Sequence, residues 1–525
     1  MCERRYGYWS GAGGAGHELD VDREDRGVAM DVQGGRVWRV WLNLVLAGVA
    51  VALLGIGASA ASAASSWGDN EQGQLGNGNT TRTDLAGPVA GLEGGIEAIS
   101  AGSNHSLALL TSGAVMAWGD NGSGELGDGT MSGPETCPSG FSTTACSTTP
   151  VATTGLGSVI AISAGGGMSL ALLSNGKVMA WGSNYAGGLG NGSTADSDVP
   201  APVSGLSHVR AISADGPHSL ALLRNGRVMA WGDNEFGQLG DGTHTGPESC
   251  PSAGFSTVPC SRVPVPVSGL RNVIAISAGD DHNLALLSNG TVVAWGVNND
   301  GQLGDGSTTN SDVPVAVHNL SGVSAISAGG FHSLALLSAG AVMAWGDNGN
   351  GQLGNGTLLN GMEPAPVSGL SEVTTISAGL AHSLAVLANG TAEAWGWNEN
   401  GQLGNGTPKG ESTLATPVVG LSGVTAVSGG GYHSLAASLQ PAVLKVKPNK
   451  GAATGGTTVT ITGLNFNGAT SVRFGSVEAG SYSVESPTRI TAVSPAESPK
   501  TVDVTVTAPG GTSAVNRHDR FKFTG

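Results

Sequence analysis

From about residue 60 to residue 440 the chain is written in short apolar runs cut by glycine-rich turns. Two runs recur: HSLALL, and after a turn VMAWG. Neither carries an apolar residue every three or four positions, so no helix is expected; short β-prone runs bounded by turn signals predict strands. Between them sit Asn175-Gly176, Asn225-Gly226, Asn289-Gly290 and Asn389-Gly390. Asn-Gly predicts a two-residue hairpin with positive φ at both central residues.

The pattern is periodic. Trp-Gly recurs at Trp67, Trp118, Trp181, Trp231, Trp295, Trp345 and Trp395, spaced 51, 63, 50, 64, 50 and 50. An Asn follows each Trp by three residues, and a Leu-Gly by eight, at Leu75, Leu126, Leu189, Leu239, Leu303, Leu353 and Leu403. A second signature, ISAGxxHSLALL, places His105, His218, His282, His332, His382 and His433, with Met168 in the deviant copy. Seven copies of about 50 residues match the period of a β-propeller blade. The last HSLA strand, His433–Ser438, has no Trp-Gly run after it; the first Trp-Gly strand, Ala64–Trp67, has no HSLALL before it. Ring closure would join these two into one split blade and remove exposed sheet edges. The expected fold class is therefore all-β, a seven-bladed propeller over 64–440.

After Gln440 the texture changes. TVTIT, SVRF, RITAV and VDVTV alternate with period two between Gly, Ser and Pro turns, which predicts an immunoglobulin-like β-sandwich over 441–525.

Two resemblances rest on these residues. W-G-x-N-x-x-G-Q-L-G-[ND]-G with A-G-x-x-H-S-L-A-L, over about 65–438, resembles the repeat of the regulator of chromosome condensation (RCC1) family. The resemblance implies a seven-bladed propeller and leaves function open. The family's eukaryotic namesake is an exchange factor for a nuclear GTPase and binds chromatin, and a secreted bacterial relative inhibits β-lactamases with loops on one face of the ring. The run P-x-x-G-x-x-x-G-G-T-x-V-T-I-T-G-x-N-F, followed by V-x-F-G, resembles the IPT/TIG family, which implies a stalk or adhesion module here.

Charge narrows the partner. Residues 61–440 hold 27 acids against 8 bases, a net of −19, and 441–525 hold 5 against 9. Nucleic-acid binders need clustered Lys and Arg, and the propeller has no basic run, so no nucleic-acid partner is expected. The bases of the C-terminal module read as few and scattered. A cationic partner is favoured electrostatically.

The N-terminus predicts export. Arg36-Val-Trp-Arg39 precedes an apolar run, Val40–Gly57, and then ASAASAASS, so 36–63 reads as a signal peptide, with cleavage after Ala60 or Ala63, or as a signal anchor. Residues 1–35 form a polar extension, and Met30 is an alternative start. Cys137 with Cys146, and Cys250 with Cys260, sit in the two longer insertions and read as two local disulfides of an exported chain. Zinc would want C-x2-C or nearby His, and His244 flanks only one pair. The expected location is extracellular or the cell surface, with a membrane anchor through the apolar segment as the variant.

Candidate chemistry is thin. Gly122–Gly127, GSGELG, matches the dinucleotide pattern GxGxxG, but no helix can start at Asp128-Gly129-Thr130, and a calcium loop would need a closing Glu. One His per blade reads as structural, and each repeated Trp, between Ala and Gly, as inter-blade core. Asp280-Asp281-His282 reads as local variation. No Ser-His-Asp, paired-carboxylate or Lys-centred arrangement recurs, so no catalytic residue, metal or cofactor is expected and the chain is not read as an enzyme. What varies between copies is different: Tyr185, Phe236, Phe331, Trp397 and Tyr432 are aromatics at turns, the usual anchors of a binding face. The expectation is a monomeric exported or surface protein that binds a protein or glycan. The alternatives are an exchange factor-like regulator of a GTPase and a secreted enzyme inhibitor.

Overall fold

The computed structural model describes residues 62–525 apart from 93–94, 140–141, 252–256, 408 and 509. The polar extension, Met30 and the run Val40–Gly57 lie outside the described residues. Among the described residues there is no helix, and so none long and apolar enough to cross a membrane.

Seven antiparallel sheets of four or five strands form the ring. The first complete blade runs from an inner strand, Ile96–Ala101, through a His strand, His105–Leu110, and a Trp strand, Val115–Asp120, to an outer strand, Ser142–Ala152. The inner strands of successive blades lie against one another round a central channel. The split blade forms as its two halves require: His433–Leu439 pairs with Ser62–Gly68, from Ser62 opposite Leu439 to Gly68 opposite His433. The first and last strands of the propeller are thereby locked into one sheet, which abolishes two free edges.

The register defines two faces. The inner strand ends, the His strand begins and the Trp strand ends on one face, here called the mouth; His105 stands opposite Gly119 there. The hairpins between His and Trp strands lie on the other. These hairpins differ from the sequence expectation. Gly176 has φ +78° and Gly226 +76°, while neither neighbouring Asn has positive φ. Leu173 N–H donates to Lys177 O and Gly176 N–H to Leu173 O, so Ser174-Asn175-Gly176 is a three-residue loop with only the glycine left-handed. Asn175 Oδ1 instead accepts from Lys177 N–H at 3.0 Å. Ser338-Ala339-Gly340 makes the same loop without any Asn.

The C-terminal module is two sheets packed over Val443, Val459, Ile461, Phe474, Phe521 and Phe523. It joins the propeller on the face away from the mouth, where Ser422 Oγ donates to Asn467 O at 2.7 Å and Asn465 Nδ2 to Gln440 O at 3.1 Å.

Candidate functional site: the mouth of the propeller

The repeated residues are spent on the joints between blades. Every repeated Trp is fully buried. Trp181 Nε1 donates to Glu125 O of the preceding blade at 2.8 Å, and Ser169 Oγ donates to the same oxygen at 3.1 Å. The Leu-Gly glycine beneath that ring, Gly127, has φ +65°, and a Cβ on it would lie 2.8 Å from the indole. The ring His completes the joint: His105 Nε2 meets Ser169 Oγ at 2.9 Å, His332 meets Ser383 at 2.8 Å, and His433 meets Ser106 at 2.8 Å.

The joints also fix the tautomer. Each Ser gives its only proton to a backbone carbonyl, so its oxygen accepts from His Nε2–H. Asn283 replaces Ser at one joint and keeps the polarity: Nδ2 donates to Gln238 O at 2.9 Å and Oδ1 faces His218 Nε2 at 2.8 Å. Nδ1 of His282, His332, His382 and His433 has no hydrogen-bond partner. Burial pushes these imidazoles from 6.5 down to about 4 for His105, His218 and His382, and about 3 for His282, His332 and His433. Each His is neutral and engaged with its own neighbouring blade; together they form no shared ligand set.

Asn and Gln of the W-G-x-N-x-x-G-Q-L-G loop, which the sequence reading left without a role, fold that loop. Asn348 Oδ1 accepts from Leu353 N–H at 2.9 Å and Nδ2 donates to Leu359 O at 3.0 Å. Gln352 Oε1 accepts from Asn350 N–H at 2.9 Å, and Nε2 donates to Asp347 Oδ2 at 2.6 Å. Glu125 holds the Gln position in one blade. Burial, with Asp120 and Asp196 nearby, pushes its carboxyl up to about 7.

All five variable aromatics fall on the mouth face. Trp397 N–H donates to Ala381 O, and Asp347 N–H to Phe331 O, which places the residue after Trp-Gly beside the residue before His. Phe331 and Tyr185 are each 38% exposed; Phe236, Trp397 and Tyr432 are half-buried. Trp397 and Tyr432, from adjacent blades, meet edge to face with centroids 5.4 Å apart.

Acidic groups share this face: Asp215, which the sequence reading did not single out, and Asp280 and Asp281, which it read as local variation. Asp215, at the end of an inner strand, and Asp280 both line the channel mouth with glycines of the first, sixth and seventh blades. Burial and the facing Asp280 hold the Asp215 carboxyl well above the usual range. Asp281, which accepts from Gln238 Nε2 at 3.2 Å, is pushed up to about 7 by burial and by Asp280, Asp233 and Glu235. Burial and three of these carboxylates push the Tyr185 phenol up to about 12. The mouth is therefore bipartite: aromatic over Phe331, Trp397 and Tyr432, and acidic around Asp215, Asp280 and Asp281. Asp280-Asp281-His282 divides accordingly, the two carboxylates at the mouth and His282 in a joint with Ser333 at 2.9 Å.

The insertions stand outside the ring. Cys137–Cys146 and Cys250–Cys260 are disulfides with Cα–Cα of 5.8 Å in each, so neither pair offers a thiolate to the neighbouring Glu135 or Glu248 for a metal. Glu248 pairs with Arg262 at 2.5 Å. In the C-terminal module the bases are less scattered than their sequence positions suggest: Lys445, Lys447, Arg517, His518 and Arg520 line a single groove.

The family model for the RCC1-like domain matches residues 60–436. The chain belongs to the RCC1-like family. A second model, for the IPT/TIG domain, matches residues 441–523 of this RCC1-like chain. The human probable E3 ubiquitin-protein ligase HERC6 is 34% identical over 243 residues, 46% of this chain and 22% of HERC6. Human RCC2 is 46% identical over 65 residues, 12% of each chain. The chain thus spans less than a quarter of the length of these curated relatives. Among solved structures, yeast RCC1 (Prp20) bound to Kap60 superposes with a TM-score of 0.64 at 23% identity, over 80% of this chain and 96% of that one. Prp20p of Saccharomyces cerevisiae, described with its binding to Gsp1p and histones, gives 0.61 at 24% identity, over 73% and 92%. At such identities the likeness establishes the RCC1 propeller fold.

Proposed function

We propose that this RCC1-like protein is an exported or surface-held binding protein that grips a protein partner on the mouth of its propeller. The observation that carries the reading is the convergence of five variable aromatics and a carboxylate group on one face, while the invariant residues are consumed by joints. Anchors presented on rigid turns at small entropic cost suit binding. The acidic half favours a partner with Lys or Arg at its contact surface, so a protein suits the mouth better than a neutral glycan.

Export rests on the N-terminal segment and on the two disulfides, which persist in oxidising compartments. Cleavage after Ala60 would leave the strand Ser62–Gly68 whole; cleavage after Ala63 would remove its pairs with Leu439 and Ser438. N-terminal sequencing of fractionated protein tests this: a mature chain beginning at Ala61 in the exported fraction is expected, and an uncleaved cytosolic chain contradicts export.

A second reading, regulation of a GTPase, is favoured by the fold shared with Prp20p, whose binding to Gsp1p is described. It predicts faster nucleotide release from a GTPase on adding the chain, which the first reading does not.

A further inference from the structure

One joint departs from the others in two places at once. Between the second and third blades, Met168 stands where the other joints have His, and Gly188 where they have Gln or Glu. The two departures are linked: a Cβ on Gly188 would collide with Met168 Cε, so any side chain here would have to displace the Met168 methyl. The joint still holds, because Ser219 Oγ and Trp231 Nε1 donate to Gly188 O at 3.0 and 2.8 Å. What is lost is volume. The missing Gln side chain, with Gly166, Gly167 and Gly216 around it, leaves a notch of about 160 Å³ opening on the mouth.

The notch is mixed in chemistry. Met168, Ala186 and Pro217 give it apolar patches, and Ser183, Asn184, Tyr185 and Asp280 line it with polar groups. Among the described residues the Asp280 carboxylate has neither a hydrogen bond nor an ion pair, and it faces Asp215 across the channel mouth. Burial holds its carboxyl above the usual range, as expected of an acid without a counter-cation. Asp280 joins no group of three ligand atoms close enough to hold a metal among the described residues; the groups that qualify are at the disulfides.

We propose that the notch receives a lysine side chain of the protein partner, its methylene stem against Met168, Ala186 and Pro217 and its ammonium at the Asp280 carboxylate. An unbranched stem with a compact charged tip fits a small notch with apolar patches and one carboxylate, whereas arginine's planar fork seeks bidentate acceptors. The inference rests on the mouth-face reading and adds to it a specificity pocket.

The test is an NMR titration of the intact chain labelled at methionine methyls, with Met168 assigned by its loss in Met168→His. The probes are acetylated, amidated Gly-Lys-Gly and its norleucine and arginine counterparts. The lysine peptide should shift the Met168 methyl, and norleucine should bind roughly ten-fold more weakly, the loss of one charged contact. Asp280→Asn should weaken the lysine peptide to the norleucine level. The double variant Met168→His/Gly188→Gln, which lacks the methyl probe and is therefore read from the peptide side by saturation transfer, rebuilds the ordinary joint and should abolish binding. Equal binding of norleucine, equal binding of the arginine peptide, or undiminished lysine binding by the double variant overturns the proposal. A partner that crosslinks to Trp397 while the notch takes no lysine removes the pocket and leaves the mouth-face reading standing.

Discussion

At the scale of single residues, six of the inter-blade joints pass a hydrogen bond from His Nε2–H to a Ser or Asn oxygen and on from that side chain to a backbone carbonyl. Removing the acceptor strands a buried donor: Ser383→Ala leaves His332 Nε2–H unpaired and should cost about 1–3 kcal/mol of stability in urea unfolding. The ring imidazoles make the fold acid-sensitive. Their pKa falls from 6.5 in the unfolded chain to about 3 or 4 in the fold. Their stabilisation is therefore full above pH 6.5 and is lost as pH falls towards 4. Glu125 acts in the opposite sense. Its carboxyl is raised to about 7, so its contribution is full below the unfolded carboxylate value and is lost as pH rises through 7. Glu125→Gln restores the side chain of the neighbouring loops and should raise stability by about 1–3 kcal/mol at pH 8 and much less at pH 5. Equal gains at both pH values would show that Glu125 is not held protonated by its site.

At the scale of elements, the hairpins show how a strong local signal can name the wrong turn. Asn-Gly suits a two-residue loop, but the register of the His and Trp strands leaves three residues between them, and only the last needs positive φ. Asn225→Ala should then change stability by less than about 0.5 kcal/mol, while Gly226→Ala, at φ +76°, should cost about 1 kcal/mol or more by thermal unfolding. The blades themselves were legible because seven copies repeat Trp, Asn, Leu and His at fixed offsets, and one set of offsets encodes one joint. The turn positions of Tyr185, Phe236, Phe331, Trp397 and Tyr432 were legible for the same reason, since a residue that breaks a repeat stands out against it. Asp215 and Asp280 were not. They belong to neighbouring blades, 65 residues apart in the chain, and only the packing of one inner strand on the next brings their carboxylates to one opening. Lys445 and Arg517, far apart in the chain and joined by the sandwich, were invisible on the same grounds.

At the scale of the whole molecule, the two faces are used differently. The strand from Ser62 and the strand ending at Leu439 meet on the face away from the mouth, and the IPT/TIG module makes its contacts there. A tether at either end of the propeller would leave the mouth unobstructed, and the mouth carries the aromatics and the acids of a propeller with a net charge of −19. Partner binding through this face should weaken as salt rises, because rim charges are screened beyond about 8–10 Å at physiological ionic strength. Binding indifferent to salt would assign the interface to the aromatic half alone. The most direct measurement is site-specific photocrosslinking in the producing cells, with a photoreactive phenylalanine analogue placed in turn at Trp397, Tyr432 and Phe331 on the mouth, and at Asn225 and Asn389 on the hairpin tips. The account predicts one shared protein adduct from the three mouth positions and none from the tips. Adducts from the tips alone, or from no position, would contradict it.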